Sequence, residues 1–193
     1  MQVRSTKSIR QMLALTTCAA CLITLLAVLS AGTAHAATAK EIDVSVDVSL
    51  QRFNDEIKGG SEFLKSAKGV LVFPKVFKAG FVVGGEYGEG ALRIGGETVE
   101  YYSTVAGSFG LQLGAQAKTI ILVFMEQKAL DSFRKSDGWE VGVDGSVALV
   151  TVGAGGSIDT TNIKSPIVAF VFGQKGLMFN LTLEGSKITK LKK

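Results

Sequence analysis

Glycine placed inside strand-like runs limits the fold of this chain more than any other feature. Of its 23 glycines all but Gly32 fall after Ala36, and many sit within apolar stretches, interleaved with Val, Phe and Leu. A glycine within a strand marks a bulge, a tight bend or a close backbone approach. Repeated through most of a sheet, it predicts strong curling toward a barrel or a tight sandwich. The expected class is α+β: a curled, mainly antiparallel, glycine-rich sheet with N-terminal helices and one helix near residues 126–135.

The helical expectation begins at residue 41. Ile42, Val44, Val46, Val48 and Leu50 alternate with polar residues as in a strand, yet Ile42, Val46, Leu50, Phe53 and Ile57 share a helical face. The longer pattern favours a helix over 41–58, followed by a short one capped by Ser61. Beyond Lys68, strands are expected at 69–73 (stopped by Pro74), 80–85, 91–94, 98–104, 109–116 and 119–125. Glu86 to Gly90 reads as a glycine-rich turn. Leu130 and Phe133 face inward from a helix over 126–135, a hairpin turns at Asp144-Gly145, and strands close the domain at 167–172 and 177–183. Lys187, Lys190, Lys192 and Lys193 read as a solvated tail.

Ahead of all this, Arg4, Lys7 and Arg10 precede an apolar run from Met12 to Leu29, which ends in Ala34-His35-Ala36. A basic start, an apolar centre and an Ala-x-Ala exit describe a bacterial-type secretory signal peptide cleaved after Ala36, with a periplasmic or envelope destination. The alternatives are a membrane anchor over Gln11 to Ser30, about the length a spanning helix needs, and a lipoprotein acylated at Cys18 or Cys21. The expected organisation is a signal peptide at 1–36, a helical lead-in at 37–61 and the main domain at 62–193.

Cleavage narrows the chemistry. Both cysteines and the one histidine lie before Ala37, so the remaining chain offers no disulfide, thiolate or imidazole metal site, and no His-based triad. Loss of Arg4, Lys7 and Arg10 from 21 basic residues leaves 18 against 17 acidic, a net of +1. Such a chain has no field for nucleic acid, and an anionic partner must be held by a local patch. No dinucleotide, Walker, nucleophile-elbow or EF-hand motif occurs, so neither an enzyme nor a cofactor is expected. Glu86 with Glu89, and Glu97 with Glu100, read as solvated turn carboxylates.

One constellation stands out. Lys65, Lys68, Lys75 and Lys78 bracket Phe73, Pro74 and Phe77. Ammonium groups interleaved with aromatics hold phosphate headgroups while the rings touch the acyl boundary. Lys65, Lys68, Lys75, Phe77 and Lys78 are the expected lipid-binding residues, the alternative being that the lysines only solubilise the strand ends.

Ala67-Lys68-Gly69-Val70-Leu71-Val72-Phe73-Pro74 followed by Lys78-Ala79-Gly80-Phe81 resembles the opening of the SYLF domain. The likeness continues through Gly107-Ser108-Phe109-Gly110, Gly114-Ala115-Gln116, Val123-Phe124-Met125 and Ala129 to Phe133. It ends with Lys175-Gly176-Leu177 and Leu183 to Ser186, so that it spans about 62–193. The resemblance implies a binding role rather than an enzymatic one. Eukaryotic members are similar to phosphoinositide-binding modules that also engage actin filaments; carried onto this chain, the lipid contacts would fall on the N-terminal helical segment and on Lys65, Lys68, Lys75 and Lys78. For an exported chain the equivalent partners are anionic or phosphorylated lipids of the envelope, with a protein-interaction or scaffold role as the alternative.

Overall fold

The computed structural model describes residues 36–80, 83–109, 114–151, 165–176, 183 and 185–193. The first helix, α1 (Ala39–Glu56), starts from a capping box. The Thr38 hydroxyl accepts from the Glu41 amide, and the Glu41 carboxylate accepts from the Thr38 amide. Ile42, Val46, Ser49 and Phe53 turn inward, whereas Val44 and Val48 are exposed. The apparent strand alternation thus divides between two faces of a helix. The second helix, α2 (Gly60–Ser66), is preceded by Gly59 with positive φ and no side-chain cap; Ser61 lies within it rather than capping it.

Eight strands follow, in the order β5-β8-β3-β2-β1-β4-β7-β6, forming a curled half-barrel. They are β1 (Gly69–Gly80), β2 (Val83–Ile94), β3 (Glu97–Phe109), β4 (Gly114–Phe124), β5 (Trp139–Glu140), β6 (Val147–Thr151), β7 (Ile167–Gly176) and β8 (Lys187–Leu191). All pairings are antiparallel except β6 with β7. On one face, α1 and α2 pack Phe53 and Phe63 onto Phe170 and Phe172. On the other, α3 (Gln127–Lys135) sets Leu130 and Phe133 against Phe124, Tyr102 and Trp139. Among the described residues no helix is long and apolar enough to cross a membrane.

Several sequence expectations are corrected. Pro74 does not stop β1: the register slips between Val72 and Lys75, and this bulge absorbs the missing N–H while the Pro74 carbonyl accepts from the Thr119 hydroxyl. Glu86 to Gly90 is not a turn but the body of β2, where a Cβ on Gly88 or Gly90 would collide with β1. A Cβ on Gly90 would overlap the Val72 carbonyl oxygen and crowd the Phe73 ring. Trp139 and Val147 open strands that do not pair with each other: β5 joins β8 antiparallel, and β6 joins β7 in parallel. The lysine tail is β8, which adds to β3 through Ile188 and Leu191. The expected last strand at 177–183 lies almost wholly outside the described residues, as does the expected leader before Ala36.

Three acidic side chains tie elements together. Asp43 accepts from the Thr98 and Tyr101 hydroxyls, and Asp47 pairs with Arg93 at 2.8 Å, fixing α1 on the sheet. Glu100 takes Arg134 of α3 at 3.1 Å, Lys190 of β8 at 2.8 Å and the Tyr102 hydroxyl at 2.6 Å. Burial pushes the Glu100 carboxyl up, but these three donors outweigh it and hold it at about 2.

Two outcomes follow from this packing. Gly90→Ala should cost about 2–4 kcal/mol in urea unfolding, while Gly107→Ala, with open space at its Cβ, should stay within about 0.5 kcal/mol. Equal midpoints for the two variants would contradict the close approach at Gly90. The folded-state pKa of Glu100 lies below its unfolded value, so its contribution is full above the unfolded value of about 4.3 and fades as pH falls toward 2. Glu100→Gln should therefore flatten the acid limb of a stability-against-pH curve between those values.

Candidate functional site

The bulge at Phe73–Lys75 decides which side chains β1 shows to each face. Leu71 and Phe73 point to the α3 side, and beyond the slip that side is taken by Val76 and Lys78. Lys75, Phe77 and Ala79 therefore emerge on the α1 side, past the area the helices cover, and all three are exposed. Strand pairing extends this into a row: Phe77 lies opposite Ala117 on β4 and Tyr87 on β2, and Tyr87 opposite Val105 on β3. Phe77, Tyr87 and Val105 are 52%, 50% and 51% exposed, and Val83 farther along β2 is 63% exposed. Scattered apolar surface is ordinary; neighbouring half-exposed aromatics in one row are not.

Cations flank the row. The Lys75 ammonium stands 4.4 Å from the Phe77 ring centroid. Lys187 of β8 is exposed in register with Val105. Tyr87 is held from one end, its hydroxyl donating to Glu89 at 2.7 Å. Burial, then this bond and the Glu89 charge, raise the phenol to about 12, so it stays neutral. Glu89 also takes the Lys193 ammonium at 3.0 Å. Burial alone would raise the Glu89 carboxyl, but donation from Tyr87 and Lys193 brings it below the usual range.

The five expected residues do not form one patch. Lys75 and Phe77 meet as expected. Lys65, in the last turn of α2, and Lys68, just before β1, are exposed at the opposite end of the strand. From Lys68 to Lys75 the chain covers about 20 Å at ~3.3 Å per residue. Lys78 is a correction: it is 1% exposed on the α3 side, pairs with Glu86 at 3.3 Å, and cannot reach a headgroup at the surface. Lys118, which sequence reading passed over, shares the same Glu86 at 2.7 Å. Glu86 and Glu89 are likewise not a solvated pair, because their odd spacing sends them to opposite faces.

Tyr87, Val83 and Val105 were missed because their row exists only through strand pairing, although each sits at an alternate position of a strand. Among the described residues no cluster of side chains has metal-ligand composition. Removing Glu86 would leave two buried ammonium groups without their carboxylate, so Glu86→Gln should cost about 3–5 kcal/mol in denaturant unfolding. Wild-type stability in that variant would show that the ion pairs contribute nothing.

Residues 105–193 match the family model described as Ysc84, Las17-binding protein actin regulator. The matched stretch runs from the last residues of β3 through β8 and does not include the Ala67 to Pro74 motif, which leads into β1. A comparison with curated proteins gives no significant match.

Proposed function

From a chain whose residues 105–193 belong to the SYLF family, we propose a non-enzymatic binding module of the cell envelope that docks on anionic or phosphorylated lipid headgroups. The observation that carries this reading is the exposed Phe77–Tyr87–Val105 row with Lys75 beside it. An aromatic ring with a polar end suits the headgroup–acyl boundary. Sinking the half-exposed rings and valines of the row contributes about 1 kcal/mol each, half of what full burial gives. Lys75 and Lys187 add about 1 kcal/mol each near an anionic surface. The apolar share is about twice the charged one, so adsorption is reversible, with ring insertion supplying most of the affinity and the lysines the preference for anionic headgroups. Lys65 and Lys68 are too distant to serve the same contact.

Export supplies the setting. The Arg4 to Ala36 pattern would carry the chain to the envelope, where phosphorylated lipids present the required chemistry. A protein ligand is the second reading, favoured by the family description itself, which names a protein partner. The same apolar row would then meet another protein.

Vesicle co-sedimentation separates these readings. The protein should pellet with anionic vesicles and much less with neutral ones, and high salt should release most of it. Lys75→Glu should abolish the preference for anionic vesicles. Phe77→Ser combined with Val83→Ser should reduce adsorption at every salt concentration while leaving thermal stability intact. If that double variant adsorbs like the wild type, the sheet row is not the lipid contact.

A further inference from the structure

The start of α1 is anchored at an unusual place. The Ala37 carbonyl accepts from the Lys193 ammonium at 2.6 Å, and the same ammonium lies 3.0 Å from Glu89. One cation therefore brings the Ala37 backbone and the Glu89 carboxylate together. Ala37 also packs its methyl group on the helix-side core, and the capping box immediately fixes Thr38. The compact unit of the fold begins at Ala37, and Ala36 before it is exposed. Bridged by the Lys193 ammonium, the Ala37 backbone lies beside the Glu89 carboxylate, and its N–H adds to the pull of Tyr87 and Lys193 that brings the carboxyl below the usual range.

We infer that Glu89 is the seat for a new amino terminus: cleavage after Ala36 turns the Ala37 nitrogen into an ammonium group that pairs with the Glu89 carboxylate beside Lys193. The inference rests on the export reading given above. Hydrolysis adds one water across the Ala36–Ala37 amide, leaving a carboxylate on the released leader and an amine on Ala37, which takes up a proton. A neutral amide donor is thus replaced by a charged one at a carboxylate that is largely shielded from water, a stronger hydrogen bond. Before cleavage the same nitrogen offers only an uncharged N–H. Processing and completion of the fold become linked.

The surrounding titratable groups fix the pH dependence. Glu89 and Tyr87 approach from β2, Lys193 from the end of the chain, Lys75 from the register partner on β1, and Glu41 from α1 itself. A free α-amine ordinarily titrates at about 7.7–8.0. Pairing with Glu89 raises its folded value, so the stabilisation is full at neutral pH and disappears as pH rises through that value.

The test expresses the whole chain, leader included, and purifies the processed protein from the envelope. A second chain carries one glycine inserted between Ala36 and Ala37, so that processing leaves an extra residue ahead of Ala37. Mass spectrometry should show a first species starting at Ala37, with no acyl group. Its melting midpoint at pH 7 should exceed that of the inserted chain by about 2–4 °C, the shift expected for a modest ion pair in a domain of this size. That gap should close above about pH 10, and it should be absent when both chains carry Glu89→Gln. Equal midpoints at neutral pH for two correctly processed chains would overturn the docking of the terminus. A mass that retains the leader, or that places lipid on Cys18 or Cys21, would instead remove the export premise.

Discussion

The slip in β1 at Phe73–Lys75 is the constraint on which the rest of the site depends. Side chains along a strand alternate between faces, so one extra residue exchanges the two sets. Without it, Lys75 and Phe77 would continue the inward series of Leu71 and Phe73, and Lys78 would point outward. With it, Val76 joins the core with Lys78 beyond it, and Phe77 is turned out next to Tyr87. Pro74 makes the slip local, since it has no N–H to give to either neighbour. Gly90 and Gly88 make it sterically possible, because β1 approaches too closely there for any side chain on β2.

The inward-facing end of the half-barrel is polar for the same reason. Lys78 and Lys118 share Glu86, and Gln116 lies opposite Lys78, donating to Gln174 while its own oxygen has no partner among the described residues. Buried ion pairs contribute little net stability over apolar packing, but they penalise every arrangement that separates them. A strand shifted by one residue would carry Lys78 out and leave Glu86 with one partner. The cluster therefore guards the register that the bulge sets.

How much of this was legible in the sequence follows from where the information lies. Hydrophobic spacing was enough for α1 and α3, because their inward residues recur at three and four within one segment. The curl of the sheet was legible from glycines embedded in apolar runs. Pro74 signalled an irregularity, but a proline alone does not distinguish a strand end from a bulge; that depends on β2 and β4 continuing past it. The parity of Lys75, Phe77 and Lys78 was hidden for that reason, and Lys78 looked like an exposed cation. Lys190 and Lys193 looked like a solvated tail because their partners, Glu100 and Glu89, are 90 and 104 residues away. Cross-strand neighbours such as Tyr87 and Val105 have no local signature at all.

The clasp at Glu89 and the exposed row are physically joined. Lys75 faces Glu89 across the β1–β2 pair, on the same side of the sheet as Phe77. Left alone, that carboxylate would spend its charge on Lys75 and cancel the cation nearest the aromatic row. Instead Glu89 is already engaged by Lys193 and by the Tyr87 hydroxyl. Its field at Lys75 is thereby largely neutralised, and Lys75 rests over the Phe77 ring with its charge available to an outside anion. The bond to Glu89 also fixes the Tyr87 ring from its hydroxyl end, so the row is ordered before a ligand arrives and less rotamer freedom is lost on contact. Docking of the new terminus would tighten both effects, which couples maturation of the chain to the readiness of its binding face.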